Sequence, residues 1–152
     1  MAILMTLNLL FWSAGPLTNE GWRGIIPLHS TRADVERLLG PATDGCNCAY
    51  YLDDVNVSFI YSSFDCKSGG AWHVPPDTVL RIVVYPKPHP RFCDLDVDKT
   101  KFTKRNEGHI ENIVSYVNDV DGLIIEVNRE LDMVMGFYYV PAAKDQHLHC
   151  RK

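Results

Sequence analysis

No apolar run in these 152 residues approaches the roughly 18 needed to cross a bilayer as a helix. A basic stripe is missing too. The 15 lysines and arginines are outnumbered by 19 acids, for a net charge of −4, which disfavours nucleic acid and anionic membranes as partners. The chain has no GxSxG nucleophile elbow, no HxHxDH or HExxH metal motif and no Walker loop. A conventional serine hydrolase and a zinc lactonase are therefore disfavoured. There is no low-complexity tract and no internal repeat, and helical periodicity is confined to one short stretch.

What remains is an ordinary globular composition, 46% hydrophobic, 22% charged and 11% aromatic, at a length that suits one domain. Ile3 to Trp12 (ILMTLNLLFW) is apolar apart from Thr6 and Asn8, and Ser13-Ala14-Gly15 follows. An apolar core followed by small residues matches the end of a secretory signal peptide. The expectation is a leader remnant at 1–15, a single α+β domain at 16–152 and an extracytoplasmic location. Five cysteines in a small chain agree with disulfides in an oxidising compartment. An odd count leaves one thiol free or paired between molecules. The expected bridges are Cys46 or Cys48 with Cys66, which brackets a hairpin, and Cys93 with Cys150. A metal-binding tail at His147, His149 and Cys150 is the alternative to solvated histidines beside a disulfide.

The one helical stretch begins at Ser30-Thr31, where Thr31 and Asp34 approximate a capping box. Val35, Leu38 and Leu39 recur at helical spacing, and Gly40-Pro41 stops the helix. Thr31 to Leu39 is thus an expected helix whose apolar stripe faces the core. After Gly45 the pattern is that of strands. Ala49 to Leu52 and Val55 to Tyr61 form a hairpin across Asp53-Asp54. Val79 to Tyr85 is apolar on both faces except Arg81, as a central strand should be. Asn112 to Val117, Leu123 to Val127 and Met133 to Tyr139 form a meander with turn chemistry between them. Ser62 to Pro76 and Pro86 to Asp98 are expected loops, the first mobile for its Gly69-Gly70 and Pro75-Pro76. The expected fold is α+β: one main helix packed on an antiparallel sheet of about six or seven strands.

The stretch Gly24 to Gly40 (GIIPLHSTRADVERLLG) resembles the opening of a repeat in β-lactamase inhibitor protein and in the small outer-membrane lipoproteins of barrel assembly. That resemblance implies a short strand, a Ser-Thr-Arg helix and a sheet, and it carries no catalytic residue. The whole chain is similar to small exported proteins of soil bacteria, through Trp22 to Ile25, Ser30 to Arg32, Tyr61 to Ser63 and Trp72 to Val79. This second resemblance implies an association with calcium-dependent hydrolases of N-acylhomoserine lactones.

Two acidic runs give that association a chemical form. Asp94, Asp96 and Asp98 alternate in a DxDxD run, and Asp119 and Asp121 flank a tight turn. Calcium takes six to eight oxygens, which alternating loop carboxylates can supply. A bound calcium would polarise a lactone carbonyl, with His73, Asp77 or His89 as general base by location. Trp22 and Trp72 are candidates for an acyl pocket or for the core. The expectation is therefore a small exported calcium-dependent hydrolase of lactone or ester bonds, with a small-molecule lactone as ligand. The alternative is a non-catalytic binding or inhibitor module with a protein partner, holding it on exposed aromatics among Tyr50, Tyr51, Tyr61, Tyr138 and Tyr139.

Overall fold

Alternating β-branched and aromatic residues fill the second half of the chain, and they build its one sheet. The computed structural model describes residues 21–42, 48–64, 66–68, 71–106 and 112–150. The expected leader at 1–15 and Cys46 lie outside the described residues. Seven strands run β1 (Ala49–Tyr51), β2 (Val55–Tyr61), β3 (Val79–Pro86), β4 (Thr103–Asn106), β5 (Ile113–Asn118), β6 (Leu123–Asn128) and β7 (Met133–Tyr139). They form one sheet in the order β1-β2-β3-β7-β6-β5-β4, and each neighbouring pair is antiparallel. β3 lies inside the sheet, between β2 and β7, with Ile82 and Val84 in the core and Arg81 and Tyr85 exposed on the other face.

Strand register sorts the residues onto two faces. Val57 opposes Val84, which opposes Phe137, which opposes Ile125. Phe59, Ile82, Tyr139 and Leu123 form the next row. All eight belong to the buried core. Phe59 is its aromatic hub, with Trp22, Tyr50 and Tyr61 rings 6.1, 5.8 and 6.2 Å away. Replacing such a residue with alanine costs about 3–5 kcal/mol.

The expectation of one main helix packed on the sheet is overturned. The helix α1 (Arg32–Leu39) has eight residues, about 12 Å of length, and only Val35 is buried within it. Leu38, expected in the core, is 47% exposed. Periodicity correctly groups Val35, Leu38 and Leu39 on one side, but the helix is too short to form a layer. A strand-dominated fold results. Its core face is covered by Trp22, Ile25 and Val35 together with Phe92, Leu95, Val97 and Phe102 from the β3–β4 connection. Phe92 anchors that connection by stacking on Tyr116 at 4.1 Å.

The caps of α1 explain its sharp ends. Thr31 Oγ1 accepts from the Asp34 N–H, and the Asp34 carboxylate accepts from the Thr31 N–H at 2.8 Å. At the other end Gly40 adopts φ 80 and donates its N–H to Glu36 O.

The expected disulfides are also corrected. Cys66 bonds Cys150, 84 positions away, which excludes Cys46 or Cys48 with Cys66 and Cys93 with Cys150. Cys93 is an exposed thiol that donates to Asp94 Oδ1. Backbone pairing brings the true partners together. Trp72 bridges His149, the Cys150 N–H donates to Ala71 O, and the His73 N–H donates to Leu148 O. The expected mobile loop is thus fastened in its described part. Ser62 Oγ and Thr78 Oγ1 both donate to Pro75 O, at 2.6 and 2.7 Å.

Candidate functional site

The DxDxD run alternates because its intervening residues are needed by the core. Leu95 and Val97 pack against the buried cluster, which turns Asp94, Asp96 and Asp98 to solvent. The run is not a strand. Asp94 ends a 3₁₀ turn at Phe92–Asp94, and Asp98 caps the next at Lys99–Lys101. Asp98 accepts from Thr100 Oγ1 at 2.6 Å and from the Thr100 N–H at 3.1 Å. Those two bonds hold its carboxyl below the usual aspartate range. Asp96 and Asp98 border a cleft of about 110 Å³ that also contains Lys101, Phe102, Asn118 and Leu123.

The second acidic pair diverges as well. Asp119 pairs with Arg105 at 2.7 Å on an exposed edge, whereas Asp121 accepts from Asn118 Nδ2 at 2.8 Å. Among the described residues, no three His, Cys, Asp or Glu side chains gather where a metal ion could be held.

Two of the three candidate bases lie at opposite ends of β3. Asp77 precedes β3 and His89 follows it, so eight residues of strand hold them about 26 Å apart. His89 Nδ1 faces Val134 O at 2.8 Å, and opposite a carbonyl this nitrogen must be the donor. Asp77, at φ 62, accepts from Arg32 Nε at 3.0 Å and from the Arg32 N–H through its own carbonyl. It fixes the entry to α1, and Arg32 in turn covers the Tyr61 ring at 4.0 Å. His73 is exposed beside the tail. Trp22 joins the core, while Trp72 meets His149 edge-on at 4.9 Å, so the two indoles do not line one pocket.

One polar pair has no local signal in the sequence. Asp145 is only 4% exposed, and its Oδ1 lies 3.0 Å from Nε2 of the exposed His29. The partners are 116 positions apart. The preceding residue, Leu28, is held at φ 64, a strained value for a branched residue. A histidine on a buried aspartate has general-base geometry. The adjoining cavity, lined by Asp121, Tyr139, Lys144 and Asp145 among others, measures about 10 Å³, room for one water rather than a substrate. The pair works as a tie between the tail and the start of α1.

The sheet face away from the core has a different character. Tyr51 opposes Asn56, Asn56 opposes Tyr85, and Glu126 opposes Gly136. Tyr138 opposes Val83 and Ile124 in the next row. Tyr51, Ile60 and Tyr85 are 65, 47 and 43% exposed. Toward β5 the face closes, with Ser115 and Val117 buried, and Val83 of β3 is buried too; the exposed Tyr51, Ile60 and Tyr85 stand over β1, β2 and β3, with Tyr138 of β7 beside Tyr85 at Gly136. Gly136 matters to its shape. The Tyr85 ring, across the strand pair, and the Tyr138 ring, two residues along β7, both stand 3.4 Å from where a Cβ would be, and Tyr85 roofs the glycine as a cross-strand aromatic does. Tyr138 donates its hydroxyl to Glu126 Oε2 at 2.6 Å. Burial, then Glu126 and the Tyr85 hydroxyl, push its phenol far above the usual value. Asn56 Oδ1 is buried with no hydrogen-bond partner among the described residues. Of the five tyrosines considered for this role, Tyr50 and Tyr139 are core residues, and Tyr85 takes their place.

Compared with known proteins, the chain matches no family model, no curated protein and no solved structure.

Proposed function

We propose that this protein is a non-catalytic binding module whose working surface is the outer sheet face over β1, β2, β3 and β7. The observation that carries this reading is the row Tyr51–Asn56–Tyr85–Gly136–Glu126, with two exposed tyrosines set on β1 and β3, one strand between them. Strands hold such rings in place, so little conformational freedom is lost on binding. Tyrosine suits the role because it couples a large apolar ring to a hydroxyl. The Cys66–Cys150 disulfide favours an oxidising, extracytoplasmic setting.

The test is a parallel screen of immobilised peptides and glycans with wild type and a Tyr51→Ala/Tyr85→Ala variant. Ligands held by wild type and lost by the variant, with folding intact by circular dichroism, are expected. Equal retention by both proteins contradicts the reading, as does an absence of any retained ligand.

A further inference from the structure

We infer that the ligand of the outer face is an uncharged carbohydrate chain that stacks on Tyr51, Tyr85 and Tyr138 and hydrogen-bonds beside them. The inference rests on the binding-module reading and adds the class of ligand. Three properties of the face point this way.

First, ring surface and hydrogen-bonding groups interleave. The Tyr85 and Tyr138 rings meet over Gly136, with the Glu126 carboxylate against the Tyr138 hydroxyl. Asn56 stands between Tyr51 and Tyr85 in the register and spaces the two rings, its amide oxygen buried below the surface. A sugar ring has the complementary surface, with apolar C–H faces rimmed by hydroxyls that donate to a carboxylate and exchange hydrogen bonds with phenols. Tyr51 and Tyr85 are two strands apart, about 10 Å, a span for two or more joined sugar units rather than one.

Second, the charge argues against a polyanion. The chain carries −4 and Glu126 sits among the rings. Among the described strand residues of this face, Arg81 lies opposite Ile60, and Arg105, on the far edge strand, is held by Asp119. A ligand rich in phosphate or sulfate needs a cluster of cations, and these two lie on different strands.

Third, the edges are poor places to add a peptide strand. β1 has three residues and β4 has four, with Lys104 and Arg105 in the latter. Short, charged edges resist strand addition, which leaves the face rather than the edge as the docking surface.

Affinity electrophoresis reads the outcome. The wild type, Tyr85→Ala, Tyr51→Ala/Tyr85→Ala and a Glu36→Ala control on α1 are run through gels containing laminarin, galactomannan, arabinoxylan, dextran or heparin. Thermal melts confirm that each variant is folded, and Tyr85→Phe tests the ring without its hydroxyl. Retardation in at least one neutral gel is expected, with none in heparin. The affinity should fall on the order of tenfold per ring removed, remain unchanged in Glu36→Ala and be largely kept in Tyr85→Phe. No retardation in any neutral gel, retardation by heparin alone, or retardation equal in the double variant overturns the inference. A peptide or protein ligand lost in the double variant, with no glycan bound, overturns the carbohydrate and leaves the binding face standing. No ligand of any kind overturns both.

Discussion

Removing the Cys66–Cys150 bond is the most quantitative test of how the chain is stapled. The bond joins residues 84 apart, so its loss releases a long loop in the unfolded state. Loop-closure entropy for that length gives a stabilisation of about 4.5 kcal/mol. At roughly 2–4 °C per kcal/mol for a domain of this size, Tm should fall by about 10–18 °C. Cys66→Ser, Cys150→Ser and the double variant should lose similar amounts, because the second substitution has no bond left to break. Cys93→Ser should stay close to wild type, since that thiol is exposed and bonds only to nearby carboxylates. The assay is urea unfolding with and without reductant, beside a non-reducing proteolytic map of the bridged peptides. Reductant should move wild type to the midpoint of the variants. A loss below about 1 kcal/mol, small against the entropy estimate, would refute the reasoning. Loss in Cys93→Ser matching that in Cys150→Ser would instead restore the Cys93–Cys150 pairing.

Four further outcomes follow from the same structure. Thr31→Ala removes one half of the capping box and should cost about 1 kcal/mol, read by urea unfolding. Gly122→Ala should cost more than Thr31→Ala in the same assay, because residue 122 has φ 69 and a Cβ there would collide with the Val140 carbonyl. Burial pushes the Tyr139 phenol up to about 12 from 10.0. A folded value above the unfolded one means this stability is complete below pH 10 and is lost as pH rises toward 12. Alkaline unfolding followed by tyrosinate absorbance should show that loss, reduced in Tyr139→Phe. N-acylhomoserine lactone should stay closed in the presence of calcium and after chelation, and calcium-dependent ring opening would revive the hydrolase reading.

Local chemistry was legible in the sequence and long-range pairing was not. Thr31, Asp34 and Gly40 mark the ends of α1 because caps are built from residues within a turn of one another. β2, β3 and the β5–β7 meander follow from alternation, which strand pairing requires whatever the partner. β4 was missed because Thr-Lys-Arg-Asn is an exposed edge strand with no buried face to pattern it. Leu38 was misread because helical spacing shows which side chains share a face, not whether anything covers that face. The alternation of the DxDxD run follows from Leu95 and Val97, which pack against the core and leave the carboxylates outside. Cys66–Cys150 and His29–Asp145 depend on strand order, which a linear reading does not contain. Tyr50 and Tyr51 show the same limit within one strand. They are adjacent in sequence, yet one is core and the other is 65% exposed.

Hydroxyl-radical footprinting, with and without the tightest-binding ligand from the peptide and glycan screen, tests the outer face most directly. Free protein should be labelled at Tyr51 and Tyr85 and spared at Tyr50 and Tyr139. Ligand should then protect Tyr51 and Tyr85 while labelling at His73 and Cys93 stays unchanged. Protection centred on His29, His73 or Asp77, with the face tyrosines still reactive, would contradict the account and move the working site to the tail.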